Sequence, residues 1–149
     1  MNYYKLLPAL LLLSCTNPEK KPADKEGPAT SVTDCYRYVN NKDTVTLKII
    51  HVGENKTGTL VYNFFEKDRN EGTIQGYIKN GLLIADYSYR AEGMQSVRQL
   101  AFKKIGENWV EGYGDLDILG DTVRYLNIDS LDYSKGIVLK PFDCKESPH

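Results

Sequence analysis

Residues 74–105 read IQGYIKNGLLIADYSYRAEGMQSVRQLAFKKI, and this stretch decides the fold. Near its start stands Asn80-Gly81, the pair that two-residue hairpin turns favour because both positions need positive φ. Pairing centred there sets Ile78 opposite Leu83, Gly76 opposite Ala85 and Ile74 opposite Tyr87. Glu92-Gly93 as the next turn places Leu83 by Phe102, Ala85 by Leu100 and Tyr87 by Arg98. Gly106-Glu107 then sets Leu100 against Tyr113 and Phe102 against Glu111. Successive hairpins thus share one largely apolar face.

Working upstream, a turn at Gly53-Glu54-Asn55-Lys56 pairs Ile49 with Leu60, Leu47 with Tyr62 and Val45 with Phe64. Joining the halves through the acidic loop Glu66 to Gly72 brings Phe64 to Ile74 and Leu60 to Ile78. Every register agrees on the same face, and a slip of one residue would break it. The opposite face reads Thr46, Lys48, Asn63, Gln75, Asp86 and Gln99, which is solvent chemistry. Three more candidate strands follow: Thr122 to Ile128, Leu131 to Tyr133, and Gly136 to Phe142. No segment carries a helical period. The expected fold is all-β, a single antiparallel up-and-down meander closing into a small barrel of about eight strands, which buries the apolar face and removes the edges. A two-sheet β-sandwich is the alternative.

The N-terminus has the zones of an export signal: Lys5, the apolar run Leu6 to Leu13, then small Ser14. Eight residues fall well short of the roughly 20 that a membrane-spanning helix needs. Leu12-Leu13-Ser14-Cys15 resembles the lipobox of bacterial lipoproteins. That resemblance implies a leader cut before Cys15, a cysteine acylated with palmitate-type chains, and a cell-envelope protein held on the bilayer. Thr16 to Thr33 holds Pro18, Pro22 and Pro28 among charged residues and almost nothing apolar, the composition of an extended tether. The organisation is therefore a signal peptide over 1–14, a lipid-anchored tether over 15–34 and a β-barrel domain over 35–149. Thr16 after the cysteine implies, by resemblance to enterobacterial sorting, the outer membrane. With Cys15 lipidated, Cys35 and Cys144 remain, and an oxidising envelope would pair them.

The lipid anchor, tether and disulfide-closed barrel together resemble several groups of small envelope lipoproteins. Among these are the lipocalin-like domain of the copper-responsive stress lipoprotein and the lipoprotein inhibitors of lysozyme. The runs GTLVYNFFEKDRNEGTIQG (58–76) and ADYSYRAEGMQSVRQLAF (85–102) are more similar to uncharacterised exported lipoproteins. The copper-linked family carries a C-x-x-C motif that this chain lacks, and no functional residue carries over from any of them.

Chemistry is sparse. A net charge of −1 without a basic block argues against nucleic acid. There is no G-x-S-x-G and no glycine-rich phosphate loop, and only His51 and His149 are available to zinc. Asp68-Arg69-Asn70-Glu71-Gly72 opens like a calcium loop but lacks the third oxygen ligand and the distant glutamate. Asp115, Asp117 and Asp121 form D-x-D-x-x-x-D, a weak cation candidate that turn capping explains as well. No metal or cofactor is assigned.

Two charges interrupt the inner face. Arg98 falls among Leu100, Phe102 and Tyr87, with hairpin register placing it opposite Asp115, and Glu111 sits between Trp109 and Tyr113. A charge there is costly unless paired or wet. Tyr87, Arg98, Glu111 and Asp115 thus form either a ligand-orienting cluster in an aromatic cavity or an ion pair plugging the barrel mouth. The small neighbours Gly76 and Ala85 either open space for a ligand or let the Tyr62 ring lie over the glycine. The triplets at Asp43-Thr44-Val45, Asp121-Thr122-Val123 and Asp129-Ser130-Leu131 resemble an O-glycosylation acceptor of exported bacterial proteins, which would modify Thr44, Thr122 and Ser130; turn and strand chemistry explains them equally. The functional expectation is a monomeric, non-catalytic binding module with a small apolar ligand in the barrel or an envelope protein on its wall. A carboxylate-based enzyme at the rim and a purely structural envelope component are the alternatives.

Overall fold

The computed structural model describes residues 31–146 apart from Asp68 and Glu92. The signal peptide, Cys15, most of the tether and His149 lie outside the described residues. Ten strands follow in order: β1 (Val32–Asn40), β2 (Asp43–Val52), β3 (Asn55–Asn63), β4 (Asn70–Lys79) and β5 (Leu82–Ala91). After them come β6 (Met94–Ile105), β7 (Asn108–Glu111), β8 (Leu116–Leu119), β9 (Thr122–Tyr125) and β10 (Val138–Phe142). The first seven form an antiparallel meander. β10 pairs with both β7 and β1, and the wall closes as a barrel of eight strands. There are not two facing sheets. β9 runs parallel to the first half of β6 and β8 flanks β9, so these two extra strands lie beside the barrel wall.

The Asn80-Gly81 turn forms as its residues demand, with φ of 52° and 73° at the two positions. The registers expected for this hairpin and the next are present: Ile78 faces Leu83, Ala85 faces Leu100 and Tyr87 faces Arg98. Upstream the registers differ from those expected. Gly53-Glu54 alone makes the β2–β3 turn, so Leu47 faces Leu60 rather than Tyr62. The β3–β4 connection sets Gly58, not Phe64, opposite Ile74. Both displacements are an even number of residues, so the same side chains still point inward. The apolar pattern sets the parity, and the turns choose among the registers that parity allows.

Inside, Leu47, Leu60, Ile74, Leu83, Leu100, Phe102 and Leu139 are fully enclosed and form a continuous core with Tyr36, Val45, Ile49 and Trp109. One end of the barrel is shut. There Lys104 Nζ lies 4.7 Å from the Tyr36 ring and 4.9 Å from that of Trp109, and donates to the Tyr36 hydroxyl. His51 Nε2 lies 2.9 Å from Asp34 Oδ2 at the same end. β1 begins and β10 finishes here, and the Cys35–Cys144 disulfide joins them with their Cα atoms 5.3 Å apart. β1 begins at Val32, ahead of the domain boundary expected at residue 35.

The outer wall carries a surprise. Ala101, Tyr125 and Leu131 make a second apolar cluster with Leu82, Ile128 and Tyr133. The segment after β7 folds back as a strap over β5 and β6. Its expected strands shorten: Ile128–Ser130 is a 3-10 turn, and the stretch 131–133 contributes only the bridge from Tyr113 to Asp132. Asp86 and Gln99, read as solvent-facing, hold the strap. Arg124 Nη2 donates to Asp86 Oδ2, and the Tyr125 backbone N–H to Gln99 Oε1.

Gly76 neither opens space for a ligand nor underlies the Tyr62 ring. Register places it between Lys56 and Ala85, and a Cβ there would stand 2.6 Å from Ala85 Cα and against the Ile84 carbonyl. The glycine lets β4 and β5 approach closely.

The disulfide spans a sequence separation of 109, for which chain-entropy arguments give a stabilisation of about 4.7 kcal/mol. Replacing both cysteines by alanine is expected to lower the unfolding free energy by roughly 2–4 kcal/mol in urea melts. In the intact protein, neither thiol should react with iodoacetamide until a reductant is added.

Candidate functional site

The other end of the barrel is open. Tyr62 lies near the end of β3 and Phe64 just past it, Asn70 begins β4, and Tyr87 and Tyr89 lie near the end of β5. Arg98 and Leu100 come from β6, and Glu111 is the last residue of β7. With Tyr113 and Ile137 these side chains line a half-open cavity of about 200 Å³. Aromatic side chains make up half of its lining residues. Tyr87 and Tyr89 stack with centroids 4.8 Å apart, and Tyr62 meets Tyr87 edge-on at 6.0 Å.

Glu111 is the buried acid of this cavity, only 2% exposed. Each of its oxygens accepts one phenol: Tyr62 Oη donates to Oε1 at 2.8 Å, and Tyr113 Oη to Oε2 at 3.0 Å. Burial pushes the carboxyl above its ordinary value of 4.5, while the two phenols and the nearby Arg98 charge pull it back. The same burial, reinforced by the carboxylate, lifts Tyr62 well above the ordinary phenol value. Tyr113 and Tyr87 are raised as well, chiefly by desolvation.

Two polar atoms here have no partner. The Tyr87 hydroxyl and Arg98 Nε are buried and make no hydrogen bond within the described structure. Buried donors are satisfied in the great majority of native sites, so each exception calls for an explanation.

The structure therefore brings together Tyr87, Arg98 and Glu111, and leaves Asp115 out. β7 stops at Glu111, and the hairpin register that would carry Arg98 to Asp115 is not realised. Beyond Glu111 the chain turns into the strap: Gly112 donates to the Ala101 carbonyl, Tyr113 bridges to Asp132, and Leu100 is not paired with Tyr113. Asp115 is exposed and its carbonyl accepts the Leu126 N–H. No carboxylate among the described residues makes an ion pair with Arg98, and the pairing with Asp115 is not formed.

Asn70, Tyr89 and Ile137 belong to the lining but escape sequence reading. A correct β3–β4 register would have found Asn70, which faces Tyr62. Tyr89 continues the inward parity of Tyr87, whereas Ile137 lies before β10 and carries no such signal.

The remaining candidates sit apart. Thr44 and Thr122 are half-buried in strands, and the Thr122 hydroxyl donates to Asp121. Ser130 is exposed, its hydroxyl donating to the Asn127 carbonyl. Asp68 lies outside the described residues. Among those described, no group of three or more His, Cys, Asp or Glu side chains is arranged to hold a metal ion.

No family model, curated protein or solved structure matches this chain.

Glu111 supplies a pH test. Its folded-state pKa lies above its unfolded value, so folding favours the protonated form. That contribution is complete below pH 4.5 and is lost as pH rises through the raised value. Urea midpoints of wild type should therefore decline over this interval relative to those of Glu111→Gln, whose side chain does not titrate. Parallel pH profiles of the two proteins would contradict the assignment.

Proposed function

We propose that this chain is a lipid-anchored envelope protein that holds a small ligand, without transforming it, in the open mouth of its barrel. The observation that carries this reading is that Tyr87 and Arg98, whose side chains line one aromatic cavity, each bury an unpartnered donor, Oη and Nε. The barrel's centre is filled by Leu47, Leu60, Ile74, Leu83 and Leu100, which confines the proposed ligand to the mouth. A paired-carboxylate reaction needs two acids on one substrate. Among the described residues this lining supplies one, Glu111, and both its oxygens are engaged by tyrosines.

The anchor rests on sequence. Leu12-Leu13-Ser14-Cys15 resembles a lipobox, and the polar stretch after it suits a tether. β1 starts at the closed end, and a tether joined there suits a mouth turned away from the bilayer. A small molecule could then reach the cavity without crossing the lipid surface.

Native mass spectrometry of the full chain, purified gently from its host, is expected to show an added small mass that collisional activation removes. An unliganded protein under those conditions, with no mass recovered by extraction, would leave the outer wall as the interaction surface. Separately, Cys15→Ser should accumulate as an uncleaved precursor. Normal processing and unchanged membrane fractionation of that variant would refute the anchor.

A further inference from the structure

The hydrogen-bond inventory of the mouth cavity constrains what it can hold, granting the reading that this is a ligand site. Tyr62 and Tyr113 have already given their phenolic protons to Glu111. What remains unused is a guanidinium N–H on Arg98, which can only donate, and the Tyr87 hydroxyl. A ligand that satisfies both at once presents acceptors. Arg98 carries a permanent positive charge without an ion-pair partner among the described residues. Charge-assisted hydrogen bonds to a guanidinium are the stronger kind, and carboxylates are their usual acceptors.

Size and wall chemistry supply the rest. About 200 Å³ is the space of roughly seven liquid waters at about 30 Å³ each. That admits a body no larger than a single six-membered ring with a short substituent. The stacked Tyr87 and Tyr89 rings, with Phe64, Leu100 and Ile137, give that body flat and apolar neighbours. We propose that the cavity binds a small monocarboxylate with a flat or short apolar body, its carboxylate against Arg98 Nε and Tyr87 Oη.

The rival occupant is an organic cation over the tyrosine faces, with Glu111 as counter-ion, since aromatic cages favour such ligands. Two observations weigh against it. Both Glu111 oxygens are already engaged, and the Arg98 charge in the same cavity would repel the guest.

Three probes of one shape and different charge decide between them: benzoate, benzamide and benzylammonium, titrated into the full chain while the Arg98 Nε–H resonance is followed by NMR. Benzoate is expected to saturate the shift, benzamide to bind at least about tenfold more weakly, matching loss of one charge-assisted hydrogen bond, and benzylammonium not to bind. Arg98→Gln should weaken benzoate by about tenfold or more, followed by the tyrosine resonances. Tyr87→Phe, which removes only the hydroxyl oxygen, should weaken it severalfold while melting like wild type. Tighter binding of benzylammonium than of benzoate would overturn the carboxylate assignment and leave the pocket standing. Binding of none of the three overturns it too. Together with an empty native mass spectrum, that result would remove the pocket itself.

Discussion

One constraint runs through this molecule: in a strand, side chains two residues apart share a face, and the inner face of a closed barrel must remain apolar. Val45, Leu47 and Ile49 on β2, Ile74 on β4, Leu83 and Ala85 on β5, and Leu100 and Phe102 on β6 all obey it. Because the wall closes through β1 and β10, the barrel itself has no free edge at which parity could relax. The glycine at position 76 serves the same constraint from the backbone side, allowing adjacent strands to approach where no side chain fits. The exceptions to apolar parity are confined to the two ends.

Those ends differ in how they treat their polar residues. At the closed end Lys104 is held between aromatic rings and His51 is hydrogen-bonded to Asp34, while the Trp109 indole Nε1 is buried there without a partner. At the open end Glu111 is engaged by two phenols, but Arg98 Nε and Tyr87 Oη are not engaged. The open-end pair belongs to side chains that line a cavity, and this separates recognition from sealing. A sealed end stabilises the fold, whereas donors left over at the open end carry a desolvation cost that a guest could relieve.

Much of this was legible in residues alone. Asn80-Gly81 and Glu92-Gly93 located three strands, and the charges at Arg98 and Glu111 declared themselves by breaking an apolar face. The upstream registers were not legible, because apolar parity cannot distinguish between pairings an even number of residues apart; only the lengths of the Gly53-Glu54 and Phe64–Arg69 connections do. Asp115 was misplaced because the β6–β7 hairpin was extended past Glu111, where the chain leaves the barrel. The strap was foreshadowed by Leu82-Leu83-Ile84, an unbroken apolar run in a strand that should alternate, which is the mark of cover on both faces. β1 offered little signal, since tyrosines at positions 36 and 38 suit either side of a wall.

The disulfide at the closed end has a topological consequence. By holding Cys35 and Cys144 with Cα atoms 5.3 Å apart, it turns the barrel's polypeptide between them into a covalent ring. In a ring no strand is first or last, so the order β1 to β10 records where synthesis begins rather than how the wall is supported. Such a ring can be cut at any exposed turn, Asn41-Lys42 for example, without releasing either side of the cut from the rest. Proteolytic nicking there would leave the two pieces joined, and the barrel would lose a turn rather than a strand.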